Sequence, residues 1–232
     1  MKILGIDTST MTTSLALLDE DRILGEYSVT GQTSHSERVM EMVGELFAKH
    51  DLSPKDIDLW VGGIGPGSFT GLRIGITMIK TMAQALEKEA LGISTLRGLA
   101  QGYPGDSLII PILDARRNRV YTGMYQWKEG KLQQVFHDTV LPWEALIEEI
   151  GGRKGVILGP GVESFKDEIL KESNLTIAPP WYHQVRSIHL CYLAREDYQN
   201  GRRESLYQIA PNYVKKSQAE REWEKKHHGD LT

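Results

Sequence analysis

Apolar residues in this chain fall into short runs, alternating stretches and two long helical stripes, and these patterns lay out its elements. Residues 2–7 form a short apolar run, and 14–18 and 22–29 follow across turn residues, so three strands open the chain. Asp19-Glu20-Asp21 joins the last two as a hairpin. Ser34-His35-Ser36-Glu37 has the form of a capping box, in which the serine hydroxyl accepts from the third backbone N–H and Glu37 reaches back to the first. It opens a helix over residues 35–50. Residues 59–64 give the next strand, 65–71 a glycine-rich loop, then a helix to about residue 89 and a short strand at 91–93. Strand, tight loop, helix, strand is a crossover unit, so part of this sheet is parallel.

The breaker cluster Gly102-Tyr103-Pro104-Gly105-Asp106 restarts the pattern. Strands are predicted at 108–113, 119–127 and 132–136, a helix at 142–150, a strand at 156–158 and a helix at 162–171. A further helix covers 187–200 and stops at Gly201, and a charged terminal helix at 219–228 follows a second capping box, Ser217-Gln218-Ala219-Glu220. The organisation is α/β, with mixed sheets flanked by helices in two subdomains, 1–103 and 104–232.

Two helices are more apolar than a surface helix requires. Over residues 72–86 the polar side chains Arg73, Thr77, Lys80, Thr81 and Gln84 form one narrow stripe, and the rest is apolar. A surface helix buries an arc of little more than 100°, so this one is covered on two sides. The helix over 35–50 shows the same excess, with Met40 besides its regular stripe. One explanation is a helical subunit interface carrying Val39, Met42, Val43, Leu46, Leu72, Ile76, Ile79 and Met82, with methionines as adaptable contacts. The other is a pair of helices sandwiched inside one larger core.

Charge and cysteine content narrow the setting. The net charge is −4, so autonomous nucleic-acid binding, which calls for a basic surplus, is disfavoured. No apolar run approaches the ~18 residues that span a membrane, and the N-terminus reaches Asp7 too soon for a secretory signal. Cys191 stands alone, which fits a reducing, cytoplasmic compartment.

Three motifs carry candidate chemistry. Gly65-Pro66-Gly67-Ser68-Phe69-Thr70-Gly71 joins a strand to a helix, where glycines permit a sharp turn and a helix N-terminus attracts anions. It lacks the Gly-Lys-Ser/Thr ending of a phosphate-binding loop and the spacing of a dinucleotide loop, so a structural turn and an anion site both stand. Asp7-Thr8-Ser9-Thr10 ends the first strand; a carboxylate there before a hydroxyl-rich hairpin is similar to the way actin-like and sugar-kinase folds meet a nucleotide. Asp7, Thr8, Ser9, Gly65, Gly67 and Ser68 are therefore the candidates for a vestigial nucleotide or anion site. An active site would want a second acidic group nearby, and residues 8–18 hold none. The basic cluster at Arg116, Arg117 and Arg119 is a candidate contact for RNA or an acidic partner. The histidines show no compact metal spacing, and Ser68 lacks a nucleophile elbow. No catalytic residue, metal or cofactor is expected.

Taken together, Leu4-Gly5-Ile6-Asp7-Thr8-Ser9-Thr10, His35-Ser36-Glu37, the run from Gly65 through Ile76, Ser94-Thr95-Leu96, Leu113-Asp114-Ala115-Arg116-Arg117 and Ala210-Pro211-Asn212-Tyr213-Val214 resemble the bacterial TsaB family, also called YeaZ. The resemblance implies an actin-like (ASKHA) fold. It also implies a supporting role in placing threonylcarbamoyladenosine next to the tRNA anticodon, with TsaD as the transferring subunit and TsaE as an ATPase partner. TsaD-like chains carry an acidic pair in the first hairpin, where this sequence has Met11 and Thr12, and metal-binding histidines where it has Thr95 and Leu99. Neither threonine nor leucine replaces an imidazole at a metal. The expectation is a non-catalytic scaffold that pairs with TsaD through the two apolar helices, recruits TsaE, forms a homodimer when alone and meets tRNA only within the complex. The rival is an active nucleotide-dependent enzyme or peptidase of the same fold.

Overall fold

The computed structural model of the chain describes residues 1–31 and 35–212. The capping box opened by Ser34, the helix expected at 219–228 with its box at Ser217, and the motif residues Tyr213 and Val214 lie outside the described residues.

The first sheet contains β1 (Lys2–Asp7), β2 (Thr12–Asp19), β3 (Arg22–Thr30), β4 (Leu59–Gly63) and β5 (Glu89–Ile93), in the order β3-β2-β1-β4-β5. Short turns join β1, β2 and β3, so these pair antiparallel. β4 and β5 return parallel to β1, reached through the crossover helices α1 (His35–Lys49) and α2 (Phe69–Leu86).

The second sheet repeats this plan. β6 (Leu108–Asp114), β7 (Arg119–Lys128) and β8 (Lys131–Pro142) are antiparallel neighbours, and β9 (Gly155–Leu158) and β10 (Leu175–Ile177) lie parallel to β6 and β9 respectively. Strand for strand the sheets correspond, and the first strand of each ends on an aspartate, Asp7 or Asp114. α4 (Trp143–Ile150) follows the third strand as α1 does. A 3₁₀ turn at Pro160–Phe165, running into α5 (Lys166–Ile169), follows the fourth strand as α2 does.

The last helix of each half is exchanged. α3 (Thr95–Gln101) follows β5 but packs on β6 and β7, whereas α6 (Ser187–Gln199) follows β10 but packs on β1 and β2. The strands divide near residue 103 and the helices do not: α6, grouped by sequence with 104–232, belongs to the core of the first sheet. The sequence pattern did not reveal α3 or β10, which are too short to show a period.

Both faces of the first sheet are covered, which is why its strands read as nearly continuous apolar runs. Leu4 and Ile6 point to α1 and α2, and Ile3 points to α6. Gly5 lies on the α6 side, where a Cβ would sit 2.6 Å from Cys191 Sγ. The excess apolar width of α1 and α2 has the same cause, since each helix meets both the sheet and the other helix. Val39, Met42, Val43, Leu46, Leu72, Ile76 and Ile79 are at most 5% exposed and pack with Leu4, Ile6, Leu15 and Leu17; Met82 is half-buried beside them. As direct partner contacts the seven buried residues are corrected, because their side chains build the chain's own core. The solvent faces of the same helices carry Met40, Gly44, Arg73, Thr77 and Thr81.

The free edge of β5 is closed by the segment after α6. The Glu204 carboxylate accepts from the Gly92 N–H (3.0 Å) and the Arg202 guanidinium donates to the Gly92 carbonyl (2.8 Å). These two side chains satisfy edge groups that would otherwise template another strand. Farther on, the Asn212 N–H donates to the Ile64 carbonyl (2.7 Å), which ties the segment to the start of the glycine loop.

Candidate functional site

Asp7 is sealed. Its Oδ1 accepts from the backbone N–H and the hydroxyl of Ser9 (2.8 and 2.6 Å), and its Oδ2 accepts from the Thr95 hydroxyl (2.9 Å). Asp7, Thr8 and Ser9 are no more than 1% exposed. A Cβ on Gly63 would lie 2.7 Å from Asp7 Cγ and closer still to a carboxylate oxygen, so only glycine fits beside it. Burial pushes the Asp7 carboxyl above its usual value of 3.8, against the hydrogen bonds from Ser9 and Thr95, which pull it down. A nucleotide phosphate with its metal, the ligand of actin-like carboxylates at this strand end, does not fit: the oxygens are engaged within the chain and the approach is closed.

This geometry predicts a pH-dependent gain from Asp7→Asn. An acid whose folded pKa is raised contributes most to stability below its unfolded value, and that contribution is lost as pH rises through the folded value. An asparagine keeps the Ser9 contacts on Oδ1 and can donate to Thr95. The melting temperature of Asp7→Asn, relative to the parent, should therefore climb as pH rises from about 4 towards neutrality, and the activity of the chain in the cell should persist. Loss of activity with the fold intact would show that Asp7 has a chemical role.

The glycine loop is docked on the β1–β2 turn. The Ser68 N–H donates to the Ser9 carbonyl (2.6 Å), and the Thr8 hydroxyl donates to the Gly71 carbonyl (2.6 Å). The Ser68 hydroxyl caps α2 by accepting from the Gly71 N–H (3.2 Å), and the Gly65 carbonyl accepts from the Thr95 N–H (2.8 Å). Gly67, Gly71 and Gly75 recur every fourth residue on one face. A Cβ on Gly67 would meet Ser9 Cβ at 2.8 Å, one on Gly71 would press into the Thr8 carbonyl oxygen, and one on Gly75 would lie 2.5 Å from Thr8 Oγ1. The glycines let helix and turn meet backbone to backbone, and the structural-turn explanation accounts for each of them.

A second enclosed carboxylate was not visible in the sequence. Asp138 on β8 accepts from the hydroxyls of Ser94 and Tyr125 and from the Gln134 amide (3.0 Å). Burial raises the Asp138 carboxyl and pushes the Tyr125 phenol well up. Ser94 also caps α3, accepting from the Arg97 N–H (3.2 Å). Neighbouring residues Ser94 and Thr95 thus tie Asp138 of the second sheet to Asp7 of the first. Of the two positions where the sequence resemblance implies histidines in a sister family, Thr95 is spent on Asp7 and Leu99 is buried among apolar side chains.

Asp114 occupies in the second sheet the place of Asp7 in the first. Each accepts from the N–H two residues on, Arg116 in this case (2.7 Å), and Asp114 also accepts from the Ser164 hydroxyl (3.3 Å). The loop after β9 carries Gly159-Pro160-Gly161, a second Gly-Pro-Gly, and it too presses on the aspartate-bearing strand: a Cβ on Gly161 would lie 3.1 Å from Asp114 N. That repeat was a legible signal of duplication. Between Asp114 and β7, Arg116, Arg117 and Asn118 are consecutively left-handed, with φ of 64°, 59° and 53°. Arg116 and Arg117 are exposed; Arg119, on β7, is half-buried.

Residues 28–158 match the family model described as TsaD, tRNA N6-adenosine threonylcarbamoyltransferase. The chain is 27% identical to a Pseudomonas aeruginosa crystal structure described as an uncharacterized protein with similarity to peptidase YeaZ. The match has a TM-score of 0.78 and covers 92% of this chain and 99% of that one. The duplicated sheets and this likeness define the class, a protein of actin-like fold. The chain is also 36% identical to the tRNA threonylcarbamoyladenosine biosynthesis protein TsaB of Bacillus subtilis, over 96% of this chain and 98% of that protein. The protein of the same name from Escherichia coli is 33% identical over 76% of this chain and 78% of its own length. This chain belongs to the TsaB family.

Proposed function

We propose that this chain is a non-catalytic subunit in the biosynthesis of threonylcarbamoyladenosine on tRNA, working in the cytoplasm by pairing with a TsaD-type transferase and recruiting a TsaE-type ATPase. The observation that carries the reading is the closure of the Asp7 site. Both carboxylate oxygens are engaged and the glycine loop binds its own chain, which leaves the fold's usual reaction centre nothing with which to act. No helix among the described residues is long and apolar enough to cross a membrane.

What such a chain offers is a surface. The outer faces of α1 and α2 carry exposed Met40, and Met11, Val29 and Phe69 are exposed around the same end of the first sheet. Large exposed apolar side chains gathered in this way mark a partner surface. Without the partner, the same surface would pair two copies of this chain. Met40→Asp together with Thr77→Arg should leave the melting temperature within about 2 °C of the parent, as for surface substitutions generally, and abolish co-purification with TsaD. Retained pairing would sink the docking mode. Modification of tRNA that proceeds with the chain omitted would sink the reading altogether, and ATP hydrolysis by the purified chain, lost on Asp7→Ala, would favour an enzyme.

The arginine turn supports a second contact. Left-handed backbone costs a non-glycine residue roughly 1–2 kcal/mol, and glycine would meet the turn's needs at less cost. The Arg116 guanidinium lies 3.7 Å from the Asp114 carboxylate, and the exposed face of Arg116 and Arg117 is read as a contact for tRNA or TsaE. The RNA version predicts salt-dependent tRNA binding that weakens in Arg116→Ala/Arg117→Ala.

A further inference from the structure

At the other end of the second sheet lies a groove that this reading does not use. It runs between the start of β6, the β7–β8 turn and the connection from α4 to β9, with a volume of about 790 Å³. Lys128, Arg153 and Lys154 line it, with the Ser107 hydroxyl and the Gln126 amide between them and Leu108 and Val135 as apolar lining. Elsewhere Arg97 and Arg202 share Asp197, Arg186 meets Glu26, Arg195 meets Asp21 and Arg116 meets Asp114, while Arg22, Arg117, Arg119 and Arg203 form no ion pair among the described residues. Among the described residues, Lys128, Arg153 and Lys154 form no ion pair.

Two details show that this charge is arranged. Arg153 is fixed by carbonyls at the end of α4: its Nε donates to Ile150 O (2.7 Å) and its Nη2 to Glu149 O (2.6 Å), leaving Nη1 without a hydrogen bond among the described residues. Lys128 also stands directly across the turn from Lys131, an opposition of like charges that costs stability. The acidic groups nearby are Asp106 in the lining and Glu129 in the turn, so cations prevail.

We propose that this groove takes the phosphodiester backbone of an RNA strand. The cations come from separate segments around an open groove instead of converging on one point, which suits a chain of phosphates better than a single small anion. The Arg153 Nη1, held in place by the bonds at Nε and Nη2, can donate to a phosphate oxygen, and the apolar lining offers a surface to a ribose. The whole-chain charge of −4 confines the attraction to this patch. The proposal rests on the tRNA-modification reading for the identity of the RNA.

The test uses the full chain, alone and with its TsaD-type partner, titrated with a tRNA transcript at several salt concentrations. Lys128→Glu/Lys154→Glu should weaken binding at least tenfold at about 50 mM salt and flatten the slope of log affinity against log salt by about two. The control Lys166→Glu/Lys171→Glu makes the same charge change at exposed sites on and after α5 and should lose much less. Equal losses in both pairs, no loss in the groove pair, no wild-type binding in either form, or displacement of tRNA by polyglutamate as effectively as by inorganic polyphosphate would each overturn the proposal. Unchanged binding by a groove variant that the modification assay still requires counts against the groove alone. An assay that does not need the chain counts against the function.

Discussion

Ile79→Asp should leave no cooperatively folding protein. Ile79 is fully buried in the α2 face that packs on the first sheet, beside Gly62. Removing a buried isoleucine costs about 2–5 kcal/mol on its own. Placing an unpaired carboxylate in the gap adds several more, and together these reach the whole stability of an ordinary domain, about 5–15 kcal/mol. Leu46→Asp on α1 should do the same, since Leu46 is 1% exposed and also fills the space beside Gly25. Circular dichroism and thermal melting of either variant decide the point. A folded monomer that has lost only its partner would mean that α1 and α2 turn these side chains outward in solution. The outer-face pair Met40→Asp/Thr77→Arg is the matched contrast, with folding kept and pairing lost.

Gly71→Ala should destabilise by about 3 kcal/mol, the reverse of the usual sign for this substitution within a helix. Alanine is favoured over glycine in a helix interior by about 1 kcal/mol. At Gly71, however, the new methyl would press into the Thr8 carbonyl, a main-chain oxygen with no freedom to swing away. Helix α2 must then lift from the β1–β2 turn, and overpacking of this kind costs about 1–3 kcal/mol. The Thr8 hydroxyl loses the Gly71 carbonyl and the Ser68 N–H loses the Ser9 carbonyl, at about 1 kcal/mol each. Gly44→Ala on α1 is the internal control, because a Cβ there meets nothing within 4 Å and should stabilise by up to about 1 kcal/mol. Urea denaturation of both variants separates the cases; equal stability would mean that the glycine loop is not clamped to the turn. Because α2 carries the proposed partner face, Gly71→Ala should also weaken pairing even where it folds.

Much of this was legible along the chain. The alternating and continuous apolar runs located β1 to β7, the first part of β8, and β9, because a strand buried on one or both faces leaves a local record. The wide apolar arcs of α1 and α2 correctly implied two covered sides. They could not say what covered them, since a sheet and a partner subunit leave the same mark on a helix. The capping Ser68 and the missing lysine of a phosphate loop pointed towards a structural turn. Asp138 and Tyr125 left no local mark, because their environment comes from α3, an element that follows the other sheet.

The sequence by itself determined the elements, the crossover that makes the first sheet partly parallel and the family to which the chain belongs. Those depend on periodicity, turn chemistry and motif, which are properties of near neighbours. Only the tertiary structure decided that the apolar faces of α1 and α2 turn inward, that α3 and α6 trade sheets, and that Thr95 arrives from 88 residues away to close the site at Asp7. Burial and the enclosure of a carboxylate depend on which distant segments meet, and no local pattern records that meeting.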